Sequence, residues 1–228
     1  MLITNPVKFR RFHSHRRSGF TLVELLVVIG IIAILASVVA VAAGAAINQA
    51  KRTKAATLAN QLQTAVLSYY TEYGVYPVKA NTTEDTLFQT AQDWQPLSVA
   101  LNGGIDPGNP MAGQITGNAI PNTRQIAYLS LTRTDLDSTA GNPWVPKNPF
   151  KDNRGRPQYF YLAVDSDYSN VLGDSGAVQP PDFSSAKSNS TALPPGKAIS
   201  AGVAVWANCD PNSTGTGTTH PSLWVHTY

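Results

Sequence analysis

Gly19-Phe20-Thr21-Leu22-Val23-Glu24-Leu25-Leu26 opens an apolar run that continues as LVELLVVIGIIAILASVVAVAAGAA over residues 22–46 and reaches Ile47 before any second charge appears. The run exceeds the ~20 residues needed to cross a hydrocarbon core, so it reads as a membrane span. Glu24 is the only charged residue from Phe20 to Ile47. A carboxylate at the centre of a spanning helix costs about 2.5–3.5 kcal/mol, and somewhat less near an end, where this one lies. Such a group needs a partner, and the sequence therefore marks Glu24 as a functional candidate.

Upstream of the run, residues 1–19 carry Lys8, Arg10, Arg11, Arg16 and Arg17 and no acid. Downstream, the nearest cations are Lys51, Arg52 and Lys54. That asymmetry places the leader in the cytoplasm and exports the body of the chain. A cleaved secretory signal is the alternative, with Ala42-Ala43-Gly44-Ala45-Ala46 offering cleavage sites. Its apolar region would be too long for that class, and it would leave Glu24 unexplained.

Of the 17 basic side chains, the leader holds five, which leaves 12 against 14 acidic ones in the rest of the chain. The net charge of +3 is thus a property of the leader, and the body offers no basic surface for nucleic acid. With 43% hydrophobic and 14% charged residues the chain reads as globular rather than disordered. Cys209 is the single cysteine, so no intrachain disulfide can form, although an exported compartment would permit one.

Beyond Ile47 the pattern changes to an amphipathic one. Leu58, Leu62, Ala65 or Val66, Tyr69 and Tyr73 recur at steps of three and four, which lines one face of a helix. Gly74 and Pro77 end it. Only Gly30 and Gly44 interrupt the pattern between Phe20 and Tyr73, each costing roughly 1 kcal/mol in a helix. One continuous helix, ~80 Å long at ~1.5 Å per residue, is expected, with anchor and domain core in the same element. The chain then divides into a basic leader (1–19), a transmembrane helix (20–47), its amphipathic continuation (48–73) and an exported domain (74–228).

In that domain a helix or turn is expected over Thr83 to Leu101, then a long loop from Asn102 to Thr123 with five glycines and three prolines. Strand-like runs come next at Gln125 to Leu131, Pro157 to Asp165 and Ala198 to Trp206. The Ser-, Asp-, Pro- and Gly-rich stretch 166–197 reads as loop, and the tail containing His220 and His226 as coil. The fold class is α+β, with a long N-terminal helix packed on a small antiparallel sheet.

No nucleophile elbow, zinc-protease helix, phosphate-binding loop or cysteine pair is present, so no enzymatic activity is expected. His220 and His226 read as exposed tail histidines rather than metal ligands. One constellation has coordination potential: Asp165-Ser166-Asp167-Tyr168-Ser169 with Asp174, and Asp210 after the next strand. Clustered carboxylates can supply part of the six to eight oxygens that calcium takes. The spacing is not that of an EF-hand, because Asn170 and Gly176 stand where glycine and glutamate would be required. A plain turn rich in side-chain-to-backbone bonds is the competing reading.

Arg16-Arg17-Ser18-Gly19 followed by Phe20-Thr21-Leu22-Val23-Glu24-Leu25-Leu26 resembles the prepilin-type N terminus shared by type IV pilins and type II secretion pseudopilins. Further along, Tyr70-Thr71-Glu72-Tyr73-Gly74-Val75-Tyr76-Pro77 looks like the helix exit of a major pseudopilin. The segment from Asn148 to Tyr159 is similar to that subgroup's turn and strand, with Phe150 in place of a tryptophan, and Ala201 to Trp206 resembles its last strand. The resemblance implies a pilin-like fold, cleavage between Gly19 and Phe20 by a prepilin peptidase, and methylation of the new Phe20 amine. It implies that Glu24 pairs with the Phe20 amine of an adjacent subunit. It also implies self-polymerisation with sister pseudopilins, an assembly platform protein and its ATPase as partners, and calcium as a cofactor in a C-terminal loop, though that loop's aspartates do not align residue by residue. The expected location is the inner membrane, N terminus inside and domain in the periplasm, with a filament after assembly. A type IV pilus subunit is the alternative, and an anchored ligand-binding protein or enzyme a more distant one.

Overall fold

A computed structural model of the chain describes residues 19–107, 118–130, 135–136, 145–151, 154–155, 158–174, 176, 178–181, 196–210 and 224–228. Helix α1 runs over Leu22–Tyr73, 52 residues without a break, as the periodicity predicts. By contact the chain forms two compact units, Met1–Ile47 and Asn48–Tyr228, and α1 contributes to both.

In the first unit every side chain of α1 described between Leu22 and Ile47 is exposed. None of the most hydrophobic window of this helix is buried. In the second unit the same helix turns one face inward. Ala55, Ala59, Leu62, Val66 and Tyr69 are fully or almost fully buried, spaced by four, three, four and three residues. The buried stripe is centred slightly off the expected one, for Leu58 and Tyr73 lie at its edges. Ala55 and Ala59 are fully buried in the same core cluster as the strands.

Among the described residues the sheet has four strands in the order β1-β2-β3-β4: β1 (Thr86–Phe88), β2 (Phe160–Val164), β3 (Val203–Asn208) and β4 (Trp224–His226). All neighbours are antiparallel, with Thr86 opposite Val164, Val164 opposite Val203, and Trp206 opposite His226. Alternation sorts the two faces. Phe160, Leu162, Val164, Val203, Val205 and Ala207 join α1 in the main core. Ala163, Ala204 and Trp206 face a second cluster completed by Leu172, Val178 and Trp224. Segments of the 166–201 excursion therefore cover the outer face of the sheet, and bridges at Leu172–Ile199 and Pro181–Gly196 close them. These segments form a packed layer where the composition suggested open loop.

Helix α2 (Ala91–Leu101) adds Trp94, Leu97 and Leu101 to the main core. Thr90 and Asp93 bond reciprocally across its N terminus as a capping box. The expected helix or turn over Thr83 to Leu101 thus resolves into a short strand and a capped helix.

The strand expected at Gln125 to Leu131 is not formed over the residues described there. Gln125 has φ 60°, and the Asn122 side chain takes backbone groups that a ladder would have used, accepting from the Ile126 amide at 3.2 Å and donating to the Ile126 carbonyl at 2.8 Å. Only a bridge from Ala127 to Asn102 remains. The same asparagine accepts the Tyr73 hydroxyl at 2.8 Å, and Tyr69 donates to the Pro121 carbonyl, so this loop is fastened to the end of α1. His226 lies in β4 rather than in coil and is exposed, with Nδ1 2.6 Å from the Tyr228 carbonyl. His220 lies outside the described residues.

Candidate functional site

Two places carry the residues singled out by the sequence. The first is the start of α1. Glu24 occupies the third helical position, and its Oε2 accepts the Thr21 amide at 2.8 Å and the Thr21 hydroxyl at 2.9 Å. Thr21 Oγ1 accepts the Glu24 amide in return, at 3.2 Å. This is a second capping box, and Thr21-Leu22-Val23-Glu24 is its sequence signature. A carboxylate expected to find its partner outside the chain therefore has a local one as well, at a helix N terminus that favours negative charge. Thr21 is the functional residue the sequence reading missed here, although the Thr-x-x-Glu spacing announces it.

Phe20, just before this cap, is 80% exposed. A Cβ added at Gly19 would meet nothing within 4 Å. Packing against the described residues therefore gives no reason for glycine at this position.

The second place is the end of β2. Asp165, immediately after Val164, donates its amide to the Gly202 carbonyl at 3.0 Å and so continues the β2–β3 pairing. Its side chain turns onto its own loop: Oδ1 accepts the Ser169 amide at 3.1 Å and Oδ2 the Asn170 amide at 2.8 Å. Asp167 Oδ1 accepts the same Ser169 amide at 3.0 Å. Asp85, just ahead of β1 and therefore adjacent through the Thr86–Val164 pairing, accepts the Gly173 amide on Oδ2 at 2.5 Å. Oxygens of Asp85, Asp165 and Asp167 lie within 4.8 Å of one another.

These carboxylates are not in their ordinary state. Burial pushes the Asp85 carboxyl up, with the Gly173 amide opposing and the charges of Asp167, Asp165 and Asp174 adding to the rise. Burial also raises Asp165, reinforced by its hydrogen bond with Asp167. Asp167 is lowered, chiefly by the Ser169 amide and then by Asp165. Asp85 is only 6% exposed, and its Oδ1 is buried with no hydrogen-bond partner among the described residues. A buried polar atom left without a partner is costly, and three carboxylates around it compound the cost.

Of the four aspartates proposed from sequence as calcium ligands, the fold brings Asp165 and Asp167 together. Asp174 is exposed and acts on Asp85 through its charge without joining the close group. Asp210 lies past the far end of β3, where its amide donates to Asn208 Oδ1 and its carbonyl accepts Gln158 Nε2. The six residues of β3, about 20 Å at ~3.3 Å each, separate it from Asp165. Asp85 stands where these two were expected. Nothing in its spacing from Asp165 could have shown this, because the two meet only through strand pairing.

Residues 14–40 match the family model of the prokaryotic N-terminal methylation motif. No curated protein and no solved structure matches the chain. The motif is that of type IV prepilin-like proteins, and it is followed here by a long, exposed apolar helix able to anchor the chain in a membrane. It implies processing by prepilin peptidase and assembly into a homopolymer, and it speaks for a pilin-like protein of either a pilus or a pseudopilus.

Proposed function

We propose that the chain is a structural subunit of a type II secretion pseudopilus, made as an inner-membrane precursor and polymerised through Phe20 to about Ala50. The observation that supports a filament subunit is the contrast within α1: its first half carries a methylation motif and exposes every described apolar side chain, while its second half is already satisfied by the chain's own domain. A surface of that kind is covered by lipid before assembly and by neighbouring helices after it.

In this reading the leader is cytoplasmic, the peptidase cuts between Gly19 and Phe20, and the new Phe20 amine is methylated. Thr21 engages Oε2 of Glu24, so Oε1 is the oxygen offered to the amine of the next subunit. Subunits at the wrong axial offset leave that charge unpaired, which makes Glu24 a selector of register. A platform protein and its ATPase would drive addition of subunits, with sister pseudopilins alongside, and the domain would face the periplasm. The role is mechanical, with no catalysis by the chain.

Co-expression with a prepilin peptidase tests processing directly. Intact mass should show a chain beginning at Phe20 with one added methyl group, and Gly19→Ala should stay full-length. Glu24→Leu should insert normally and fail to assemble; normal filaments from it would remove the pairing role. Fibres that depend on a secretin and serve export support the pseudopilus, whereas long retractable surface fibres would transfer the chain to a type IV pilus.

The orphaned Asp85 Oδ1 favours a second proposal for the same subunit: Asp85, Asp165 and Asp167 hold a calcium ion. The ion would supply the positive charge that three converging carboxylates lack, and their oxygens suit a hard cation. At a hundredfold excess over Kd, calcium should stabilise the protein by about 2.7 kcal/mol, read as a rise in melting midpoint over chelator. Identical midpoints would argue against the site.

A further inference from the structure

We propose that Tyr168 is a positioning residue for the cation site, and that cation binding there latches the acidic loop onto the exit of α1. The inference rests on the reading of Asp85, Asp165 and Asp167 as a calcium site, and it concerns what that site controls.

Tyr168 follows Asp167 directly, and its backbone lies in the left-handed region at φ 63°, with Asn170 at φ 64°. Asparagine visits that region readily, but a bulky tyrosine does so only when the surroundings hold it there. Two sets of contacts do so. On one side, Asp165 and Asp167 both accept the Ser169 amide, and Asp165 also accepts that of Asn170, which fixes the backbone on the C-terminal side of Tyr168. On the other side, the Tyr168 ring stacks on Tyr76 with centroids 5.6 Å apart and planes at 24°, and its hydroxyl accepts the Tyr76 amide at 3.2 Å.

Tyr76 lies three residues beyond the end of α1 and is itself stacked on Tyr70 of that helix, centroids 4.4 Å apart. Its hydroxyl occupies the space a Cβ would need at Gly202, the residue whose carbonyl accepts the Asp165 amide. A continuous line of contacts therefore runs from Asp165 and Asp167 through Tyr168 to Tyr76 and Tyr70.

The two ends of this line bias the same loop. Without a cation, mutual repulsion of Asp85, Asp165 and Asp167 works against the loop conformation that brings them together. With a cation, that conformation is the binding-competent one, and it is also the one that places Tyr168 over Tyr76. By linkage, whatever the cation contributes to the tyrosine stack the stack returns to cation affinity. Tyr168 is 46% exposed, so it can be replaced without opening the core.

The test uses the full chain in detergent micelles, with calcium chloride or a chelator, and two readouts: calcium affinity by calorimetry and amide hydrogen exchange at Tyr76. In the unmodified chain, calcium should slow exchange at the Tyr76 amide. Tyr168→Asn removes the ring while keeping a residue that accepts the left-handed backbone; it should weaken calcium binding on the order of tenfold and abolish the response at Tyr76. Tyr168→Phe keeps the ring and should retain most of the affinity. Equal calcium affinity in Tyr168→Asn and the unmodified chain, or calcium binding with unchanged exchange at Tyr76, would overturn the latch and leave the cation site standing. Absence of calcium binding in the unmodified chain would overturn the site itself.

Discussion

Residues 22–47 and 55–69 of α1 are both built to be covered, but only the second stretch is covered by its own chain. Leu62, Val66 and Tyr69 sit in a core with β2 and β3, whereas Leu22, Leu35 and Val38 are 78%, 59% and 65% exposed. The side chains differ less than their partners do. The lesson is that one helix can serve two folding problems: its C-terminal half completes a domain, and its N-terminal half remains an unsatisfied surface until lipid or another copy meets it.

Cutting into the buried half of α1 should have the largest consequence. Leu62→Ala removes a fully buried side chain of the main core, and should cost about 3–5 kcal/mol. Leu35→Ala, the same chemical change on the exposed half, should leave domain stability within about 0.5 kcal/mol. Thermal melts of the full chain in micelles would show the difference; a comparable loss from Leu35→Ala would mean that the first half contributes to the domain after all.

How much of this was legible beforehand divides along the same line. The span, the helix through Tyr73 and its stop at Gly74 follow from local period and composition, which a single element displays without help. β2 and β3 could be found because buried strands are apolar throughout. β1 and β4, of three residues each, are too short to show a period. The expected strand at Gln125 fails because one asparagine side chain satisfies the backbone more cheaply than a ladder. Asp85 illustrates the deepest limit, for its partnership with Asp165 and Asp167 exists only once β1 pairs with β2.

Because burial raises the Asp85 carboxyl, its ionised form opposes folding, and the stability it contributes is lost as pH rises through its folded-state value. Asp165 behaves in the same sense and Asp167 in the opposite one. In chelator at pH 7, Asp85→Asn should therefore stabilise the domain by about 1–2 kcal/mol while keeping an acceptor for the Gly173 amide. The advantage should shrink as pH falls and Asp85 takes up its proton. The same substitution should remove the calcium-dependent rise in melting midpoint, so that one variant gains stability without the ion and loses it with the ion. A destabilised Asp85→Asn in chelator would show that the cluster is satisfied without a cation.

Two caps of the same design should differ in what their loss does to the domain. Thr90 and Asp93 close the N terminus of α2, whose Trp94, Leu97 and Leu101 belong to the core; Thr21 and Glu24 close that of α1, whose first turns are exposed. Thr90→Ala should cost about 1 kcal/mol of domain stability, because the orphaned amides lie at the start of a helix that must be in place for the core to close. Thr21→Ala removes an equivalent set of bonds, yet it should leave the domain's melting midpoint unchanged, since α1 frays there without disturbing any buried contact. Its consequence should appear instead at Glu24, which would lose both Thr21 hydroxyl contacts while keeping the backbone amide. Equal losses of stability from the two substitutions would erase the distinction between the halves of the molecule, because it would mean that the cap at Thr21 belongs to the same cooperative unit as the domain.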